Sequence, residues 1–252
     1  MSSVSKNKLG ITNESDLAIA EAEYSSARIA ELVEKPIIGK FDVDHLRAIH
    51  HHIFQDIYPT AGFFHTSDQV RTKNRVSELT GQRHIVLYPP IQIANCNIND
   101  FLKRSVAELK SSNDVSHRQG KLIDIYAELD YFHPFADGNS RTLRVFTRDL
   151  ANQMGLDLNW GTSNLNETSR DVLYAARDKS VLRRIINDVH SEHEMKAISQ
   201  TLFLLSKYQG LKEVVTPMFV TAGTELSSQK KDKQESPNTS KKRIHNSDFK
   251  PS

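Results

Sequence analysis

The stretch that decides the fold is Tyr131–Phe146, which reads YFHPFADGNSRTLRVF. It predicts a short polar loop between two helices, because Pro134 cannot continue a helix and Asn139 is a good N-cap for the next one. His133 stands at the start of this loop, and two arginines follow one turn apart on the second helix. Free N–H groups at a helix N-terminus, together with convergent arginines, form a site for phosphate groups. The stretch therefore predicts an anion-binding junction inside a helical domain.

Sequence patterns typical of helices lie on both sides of this junction. Apolar residues recur every three or four positions from Asn13 to Glu34, which predicts an amphipathic first helix. Asp44 is the predicted N-cap of a second helix that ends at Pro59. Further helices are predicted over residues 99–110, 115–132, 139–154, 167–177, 180–189 and 192–208. The surrounding domain is therefore predicted to be helical.

One region, residues 63–93, interrupts the helical pattern. Residues 66–68 and 79–81 have the composition of turns, and Arg83–Tyr88 has the composition of a β-strand that ends before two prolines. We predict a β-hairpin between Arg71 and Tyr88. The predicted fold class is all-α with this one small hairpin.

The two ends of the chain differ from the helical part. Residues 1–12 are polar, and we expect a loose N-terminus there. Residues 222–252 are rich in lysine, serine, glutamine and asparagine, so they offer too little apolar surface to offset the entropy lost on ordering. The predicted organisation is a helical domain over residues 13–215 followed by a disordered Lys/Ser-rich tail.

Bulk composition narrows the class of protein. The chain has 252 residues, of which 38% are hydrophobic, and no apolar run approaches the roughly 18 residues that a membrane-spanning helix needs. Residues 1–8 lack the apolar core of a secretory signal, and the single Cys96 cannot form an internal disulfide. A net charge of +2 is too small to indicate nucleic-acid binding. We therefore expect a cytoplasmic protein without a membrane or nucleic-acid partner.

The central stretch resembles the signature of Fic (Fido) domains, His-x-Phe-x-(Asp/Glu)-Gly-Asn-Gly-Arg-x-x-Arg. Seven residues stand in register with it: His133, Phe135, Asp137, Gly138, Asn139, Arg141 and Arg144. Ser140 departs from the pattern, since it replaces the second glycine. Residues 56–62 resemble the segment that precedes the flap of the family, and the likeness extends over about residues 14–210. The resemblance implies a Fic-type helical domain with a small β-hairpin flap.

Fic proteins mostly transfer the AMP of ATP to a Ser, Thr or Tyr hydroxyl of a target protein. The resemblance implies that His133 is the general base and that Asp137 binds Mg²⁺. The implied ligands of the ATP phosphates are Gly138, Asn139, Ser140, Arg141 and Arg144. The hairpin between Arg71 and Tyr88 would dock the target segment by strand addition; an ordinary surface hairpin is the alternative. The expected class is a protein adenylyltransferase.

The motif is compatible with several alternatives. Relatives with variant loops transfer UMP, phosphocholine or a phosphoryl group, and a catalytically weak Fic-fold binding module is a further possibility. Ser140 keeps the backbone N–H but narrows the conformations that glycine would have, so it is either a benign change or one that alters activity. The run His50–His52 suggests a metal, but adjacent helical side chains point about 100° apart and do not converge on one ion. Trp160 is interpreted as a core residue.

Inhibition in the family depends on a glutamate that pairs with the second arginine of the motif. The pattern that carries it is Ser/Thr-x-x-x-Glu followed by Gly or Asn, and this chain does not complete it at Ser163/Glu167 or at Thr221/Glu225. Arg144 is therefore predicted to lack an internal partner. Our hypothesis is that a separate small antitoxin-like protein supplies the glutamate, or that the domain is unrestrained. Export into a host cell, as an effector, is the alternative to a cytoplasmic location.

Overall fold

The computed structural model describes residues 5–77, 81–161, 167–189 and 191–220. Its α-helices are α1 Glu14–Glu34, α2 Val43–Phe54, α3 Ile91–Ser111, α4 Val115–Phe132, α5 Asn139–Gln153, α6 Glu167–Ile185, α7 Glu192–Leu204 and α8 Leu211–Val215. The strands β1 Arg71–Val76 and β2 Arg83–Tyr88 form an antiparallel hairpin, and Asp157–Leu158 (β3) pairs with Phe219–Val220 (β4). The predicted class, helical with one small hairpin, is confirmed. The predicted disordered tail lies outside the described residues.

Helix α4 forms the centre of the domain. It contacts α3, α5, α6 and α8, and residues such as Ile125 and Leu129 are completely buried. A helix packed on several sides must be apolar over most of its circumference. The second half of α4 meets this requirement, because nearly all of its residues are buried and most of them are apolar. Its C-terminus therefore emerges in the interior of the fold, where α5 starts. That point is the predicted junction.

Two predicted helix starts lie elsewhere in the structure. Asp42, and not Asp44, is the N-cap of α2, since its carboxylate accepts a hydrogen bond from the N–H of His45. Helix α3 begins directly after Pro90, eight residues before the predicted start. A proline fits this place because it needs no hydrogen bond to its own nitrogen. Ile91, Ala94 and Ile98, on one face of its first two turns, are buried and stabilise this earlier start.

The two helices predicted over residues 167–177 and 180–189 are a single helix, α6. The residues between them, Asp178 and Lys179, read as a polar break in the sequence. In the structure both are buried and hold partners: Asp178 accepts from His84, and Lys179 donates to the carbonyl of Tyr208. Tertiary contacts therefore carry the helix through a segment that its composition alone marks as a boundary. No described helix is long and apolar enough to cross a membrane.

Candidate active site

A cavity of about 410 Å³ opens between α1, β1, the α4–α5 loop and α6. This volume lies within the roughly 300–1,000 Å³ typical of small-molecule sites. Every residue predicted from the motif to have a chemical role borders this cavity: His133, Asp137, Gly138, Asn139, Ser140, Arg141 and Arg144. The structure therefore brings the predicted catalytic and phosphate-binding residues to one place.

His133 is the last residue of the turn that ends α4. Its backbone is left-handed, with φ of 44°, and its N–H donates to the carbonyl of Leu129. His133 is 5% exposed, and its imidazole stacks on the ring of Tyr88 at 3.8 Å between centroids. Its Nδ1 has no hydrogen-bond partner among the described residues and lies 3.9 Å from the Asp130 carboxylate. The ring is therefore fixed by packing, and its Nδ1 is enclosed on the side of Asp130.

The surroundings of His133 favour the neutral imidazole. Burial lowers the pKa of His133 well below its usual 6.5, and the positive charges of Lys73, Arg71, Arg177 and Arg75 lower it further. Burial disfavours a charged imidazole, and neighbouring cations oppose a second positive charge. His133 is therefore unprotonated at neutral pH, which is the state that a general base requires.

The loop after His133 is held by its own amide groups. The Oδ1 of Asn139 accepts from the N–H of Phe135 at 3.0 Å, and its Nδ2 donates to the carbonyl of Phe135 at 2.8 Å. The side chain of Asn139 is thus occupied within the loop, and the predicted N-cap role belongs instead to Gly138. Gly138 has φ of 74°, and an added Cβ would lie 2.2 Å from Phe54. Only glycine fits at this position.

His50 links this loop to α2. Its Nε2 lies 3.1 Å from the carbonyl of Asp137, and its Nδ1 accepts from the N–H of Gly62 at 2.8 Å. The ring also stacks on Phe135 with a centroid distance of 3.8 Å. Burial lowers the pKa of His50 to about 4. His50 is therefore a neutral structural bridge, and the described part of the chain holds no cluster of three or more side chains that could bind a metal.

The hairpin is fastened to the loop by its first residue. Arg71 donates from Nη1 to the carbonyl of Phe135 at 3.2 Å and from Nη2 to the carbonyl of Ala136 at 3.0 Å. These bonds give the carbonyl of Ala136 a donor and add a second donor to the carbonyl of Phe135, which also accepts from Asn139. The β1 strand is consequently held at a fixed place beside His133, while most of its side chains are exposed.

The two motif arginines, one turn apart on α5, have different partners. Arg141 forms an ion pair with Glu21 of α1 and donates to Ser25 Oγ at 2.6 Å. Tyr58 also donates to the Glu21 carboxylate. Arg144 donates from Nε to the carbonyl of Ser140 at 3.3 Å, and it is paired with no carboxylate within the described ranges. Arg141 therefore has an acidic partner in Glu21.

Behind the loop lies a set of buried charges from α4 and α6. Arg177 binds both carboxylate oxygens of Asp130, from Nη2 at 2.6 Å and from Nε at 3.0 Å. Its remaining terminal nitrogen, Nη1, donates to Ser140 Oγ at 3.0 Å. Arg177 and Asp130 are 1% and 2% exposed. The next residue of α6, Asp178, contacts His84 at 2.9 Å.

Sequence reasoning missed four charged residues of this region: Glu21, Asp130, Arg177 and Lys73. Asp130 could have been suspected, because it precedes His133 by three residues on the same helix face. Glu21 is one of several acidic residues on an amphipathic helix, and nothing in its neighbourhood singles it out. Arg177 lies far along the chain in an arginine-rich segment. Only the packing of α6 against α4 reveals its part in the site.

Comparison of the sequence with known protein families identifies the type of domain that contains this pocket. Residues 40–151 match the model of the Fic/DOC family. The chain therefore contains a Fic/DOC domain, and the resemblance noted in the central motif is confirmed.

Individual relatives agree with this assignment. The chain is 33% identical over 164 residues to protein adenylyltransferase VbhT of Bartonella schoenbuchensis, a match that covers 65% of this chain and 32% of the relative. The chain thus spans about a third of that relative's length. It is 26% identical over 198 residues to "Probable protein adenylyltransferase Fic" of Salmonella typhimurium, covering 75% of this chain and 88% of the relative.

A solved structure shares the fold. It is the N-terminal Fic domain of a VirB-translocated Bep effector from Bartonella quintana, determined with bound ADP. The TM-score is 0.60 at 19% identity, and the alignment covers 90% of this chain and 95% of that one. At this identity the likeness supports the fold, and the observed helical domain with its hairpin agrees with it.

Proposed function

We propose that this chain is a protein adenylyltransferase, which transfers the AMP of ATP to a hydroxyl of a Ser, Thr or Tyr residue in a target protein. The observation that carries the proposal is the position of His133, a buried and neutral imidazole at the edge of an arginine-rich cavity. The curated relatives named protein adenylyltransferase support the same reaction.

In the proposed reaction the hydroxyl oxygen of the target attacks the α-phosphorus of ATP. A bond forms between this oxygen and the phosphorus, the bond to pyrophosphate breaks, and the hydroxyl proton passes to the imidazole of His133. The partially negative phosphate oxygens would accept hydrogen bonds from the N–H groups at the start of α5. Arg141 and Arg144 border the same cavity and would bind the other phosphates.

The residues at this cavity fit a magnesium ion. Asp137 is half-buried at the edge of the pocket, and one of its carboxylate oxygens accepts from Ser5 Oγ at 3.1 Å. Mg²⁺ in nucleotide sites is bound by one or two carboxylates together with phosphates and waters, so a single carboxylate is sufficient here. Asp137 would hold the ion, which neutralises phosphate charge when bound.

The hairpin would position the target. β1 pairs with β2 on one side only, and β2 packs against α6 and α7. The other edge of β1 has no partner strand within the described residues, and exposed strand edges accept an added strand. We propose that an extended target segment pairs with β1, which Arg71 holds beside His133.

Regulation by a separate protein also belongs to this proposal. Arg144 lacks an acidic partner in the part of the chain that the structure describes, so a small antitoxin-like protein could supply a glutamate to it. Co-expression with neighbouring reading frames, followed by copurification, tests this idea. Transfer activity that no copurifying protein lowers would contradict it.

The activity itself is tested with ATP labelled in its α-phosphate, Mg²⁺ and a cell lysate as the source of targets. Label should appear on protein with the wild-type chain, and His133→Ala should lower the rate by about 10²–10⁴-fold. His51→Ala is a matched control, because His51 is exposed on α2. Equal labelling by the His133 variant would remove the imidazole from the mechanism, and labelling only from another donor would change the transferred group.

A further inference from the structure

Ser140 occupies the position where the Fic signature has its second glycine, and its side chain borders the cavity. A glycine at this place contributes only its backbone N–H. The serine adds a hydroxyl, and this hydroxyl accepts a hydrogen bond from Arg177 Nη1 at 3.0 Å. The serine that replaces glycine therefore has a specific hydrogen-bond partner, Arg177, on another helix.

Arg177 is held in a fixed orientation. Its Nε and Nη2 are both bound to Asp130, at 3.0 and 2.6 Å, and the guanidinium is nearly inaccessible to solvent. The planar fork of an arginine in a bidentate pair has one geometry. Since Nε and Nη2 are both bound to Asp130, the remaining nitrogen, Nη1, donates to Ser140. The cation also lies 5.4 Å from the ring centroid of Tyr174, another residue of the cavity wall.

The contact with Arg177 determines what the serine hydroxyl can do. A hydroxyl has one O–H donor and two acceptor lone pairs. A guanidinium has no acceptor, so Ser140 must accept from Arg177 and keep its own proton for another group. No described protein atom accepts from Ser140 Oγ, and the hydroxyl lies at the start of α5 beside N–H groups that favour anions.

We propose that the Ser140 hydroxyl donates a hydrogen bond to a phosphate oxygen of the bound nucleotide, with Arg177 as the positioning residue that orients it. The inference rests on the proposed function, because it takes a nucleotide as the ligand. It makes Ser140 a specificity-determining residue that favours ligands with phosphate at this place. The Asp130–Arg177 pair then acts on the nucleotide through Ser140.

Ligand binding tests this inference separately from AMP transfer. Isothermal titration with ADP, AMP and adenosine in the presence of Mg²⁺ is compared for the wild-type chain, Ser140→Ala and Ser140→Thr. Alanine removes the hydroxyl and keeps the helix start, whereas threonine retains a hydroxyl. We expect Ser140→Ala to weaken ADP binding by about tenfold and to leave adenosine binding within about twofold. Ser140→Thr should keep most of the ADP affinity.

A second arm tests the positioning role of Arg177. Arg177→Lys keeps a cation opposite Asp130 but loses the nitrogen that reaches Ser140, so the protein should stay folded. In this background Ser140→Ala should weaken ADP binding by less than about twofold, since the two residues act as one unit. The thermal midpoint of each variant serves as the control for folding.

The outcomes separate the two proposals. Unchanged ADP affinity in Ser140→Ala, an equal loss for adenosine, or no ADP binding by the wild-type chain would each overturn the role of Ser140. Phosphate-dependent loss in a protein that transfers no AMP would support the role of Ser140 and reject the proposed function.

Discussion

The charged residues at the pocket come from two regions that differ in solvent exposure. In the motif segment, residues 133–144, Arg141 and Arg144 are partly exposed and face the cavity. In the buried pair formed by Asp130 and Arg177, both side chains are almost fully enclosed, and each is the main partner of the other. An exposed cation is available to a ligand, whereas an enclosed ion pair fixes geometry. The first region is thus suited to bind phosphate, and the second to hold the first in place.

The largest difference between the regions should appear when the buried pair is broken. Arg177→Met leaves the Asp130 carboxylate buried without a counter-charge, which costs about 3–5 kcal/mol of folding free energy. Urea denaturation monitored by circular dichroism measures this loss. The double variant Asp130→Leu/Arg177→Met removes both charges and should recover much of the stability. A loss below about 1 kcal/mol in Arg177→Met would mean that the pair contributes little to holding the site.

The motif segment is anchored by the neutral imidazole of His50, which contacts the carbonyl of Asp137. Stability should therefore fall when acid protonates His50. The pKa of His50 is about 4 in the folded chain, below its usual 6.5, so the unfolded chain binds the proton more readily. Its contribution to stability is fully present above pH 6.5 and is lost as the pH falls toward 4. The full loss is about 3 kcal/mol.

Thermal midpoints measured from pH 7 to pH 4.5 test this expectation. The decline should be shallower in His50→Gln, which starts from a lower midpoint because the bridge between Gly62 and Asp137 is altered. His51→Gln is the control, since His51 is exposed on the same helix. Identical slopes for wild type and His50→Gln would exclude His50 as the acid-sensitive anchor.

A substitution in the motif segment should change ligand affinity and leave stability nearly unchanged. Arg144→Gln removes a partly exposed cation without an acidic partner among the described residues, so the free energy of unfolding should change by less than about 0.5 kcal/mol. The affinity for ATP should fall by about ten- to hundredfold, because a charge-assisted hydrogen bond to phosphate is lost. Titration calorimetry with ATP and Mg²⁺ measures this effect. A stability loss as large as that of Arg177→Met would erase the distinction between the two regions.

The smallest effect concerns Glu21, a partly buried carboxylate of α1. Its carboxylate pairs with Arg141 at the cavity wall, so it would compete with a bound phosphate for that arginine. Glu21→Gln should strengthen ATP binding by about threefold, in line with the modest energy of a partly exposed ion pair. Glu23→Gln on the exposed face of α1 is the control. Weaker ATP binding in Glu21→Gln would indicate that Glu21 organises Arg141 for the ligand.

The sequence places the residues of the motif segment near one another because they are contiguous, and in the structure they border one cavity. The fold class and the hairpin followed from periodicity and turn composition. The N-cap of α5 was wrong, since Asn139 uses its side chain within the loop and Gly138 takes the cap position. The unity of α6 and the role of Arg177 were missed, because both depend on contacts between α6 and distant elements. Such contacts leave no local pattern in the chain.

The left-handed backbone of His133 affects which residues at this position would be favoured in a screen for stability. A non-glycine residue with φ of 44° stores about 1–3 kcal/mol of strain, and glycine or asparagine adopts this conformation more easily. A library of variants at position 133, screened only for survival of heating, should therefore be enriched in those two residues. The same library screened for labelled protein should return histidine. The two screens should therefore select different residues at position 133. The difference in thermal midpoint between the selected variants measures the stability that the chain loses by keeping histidine at this position.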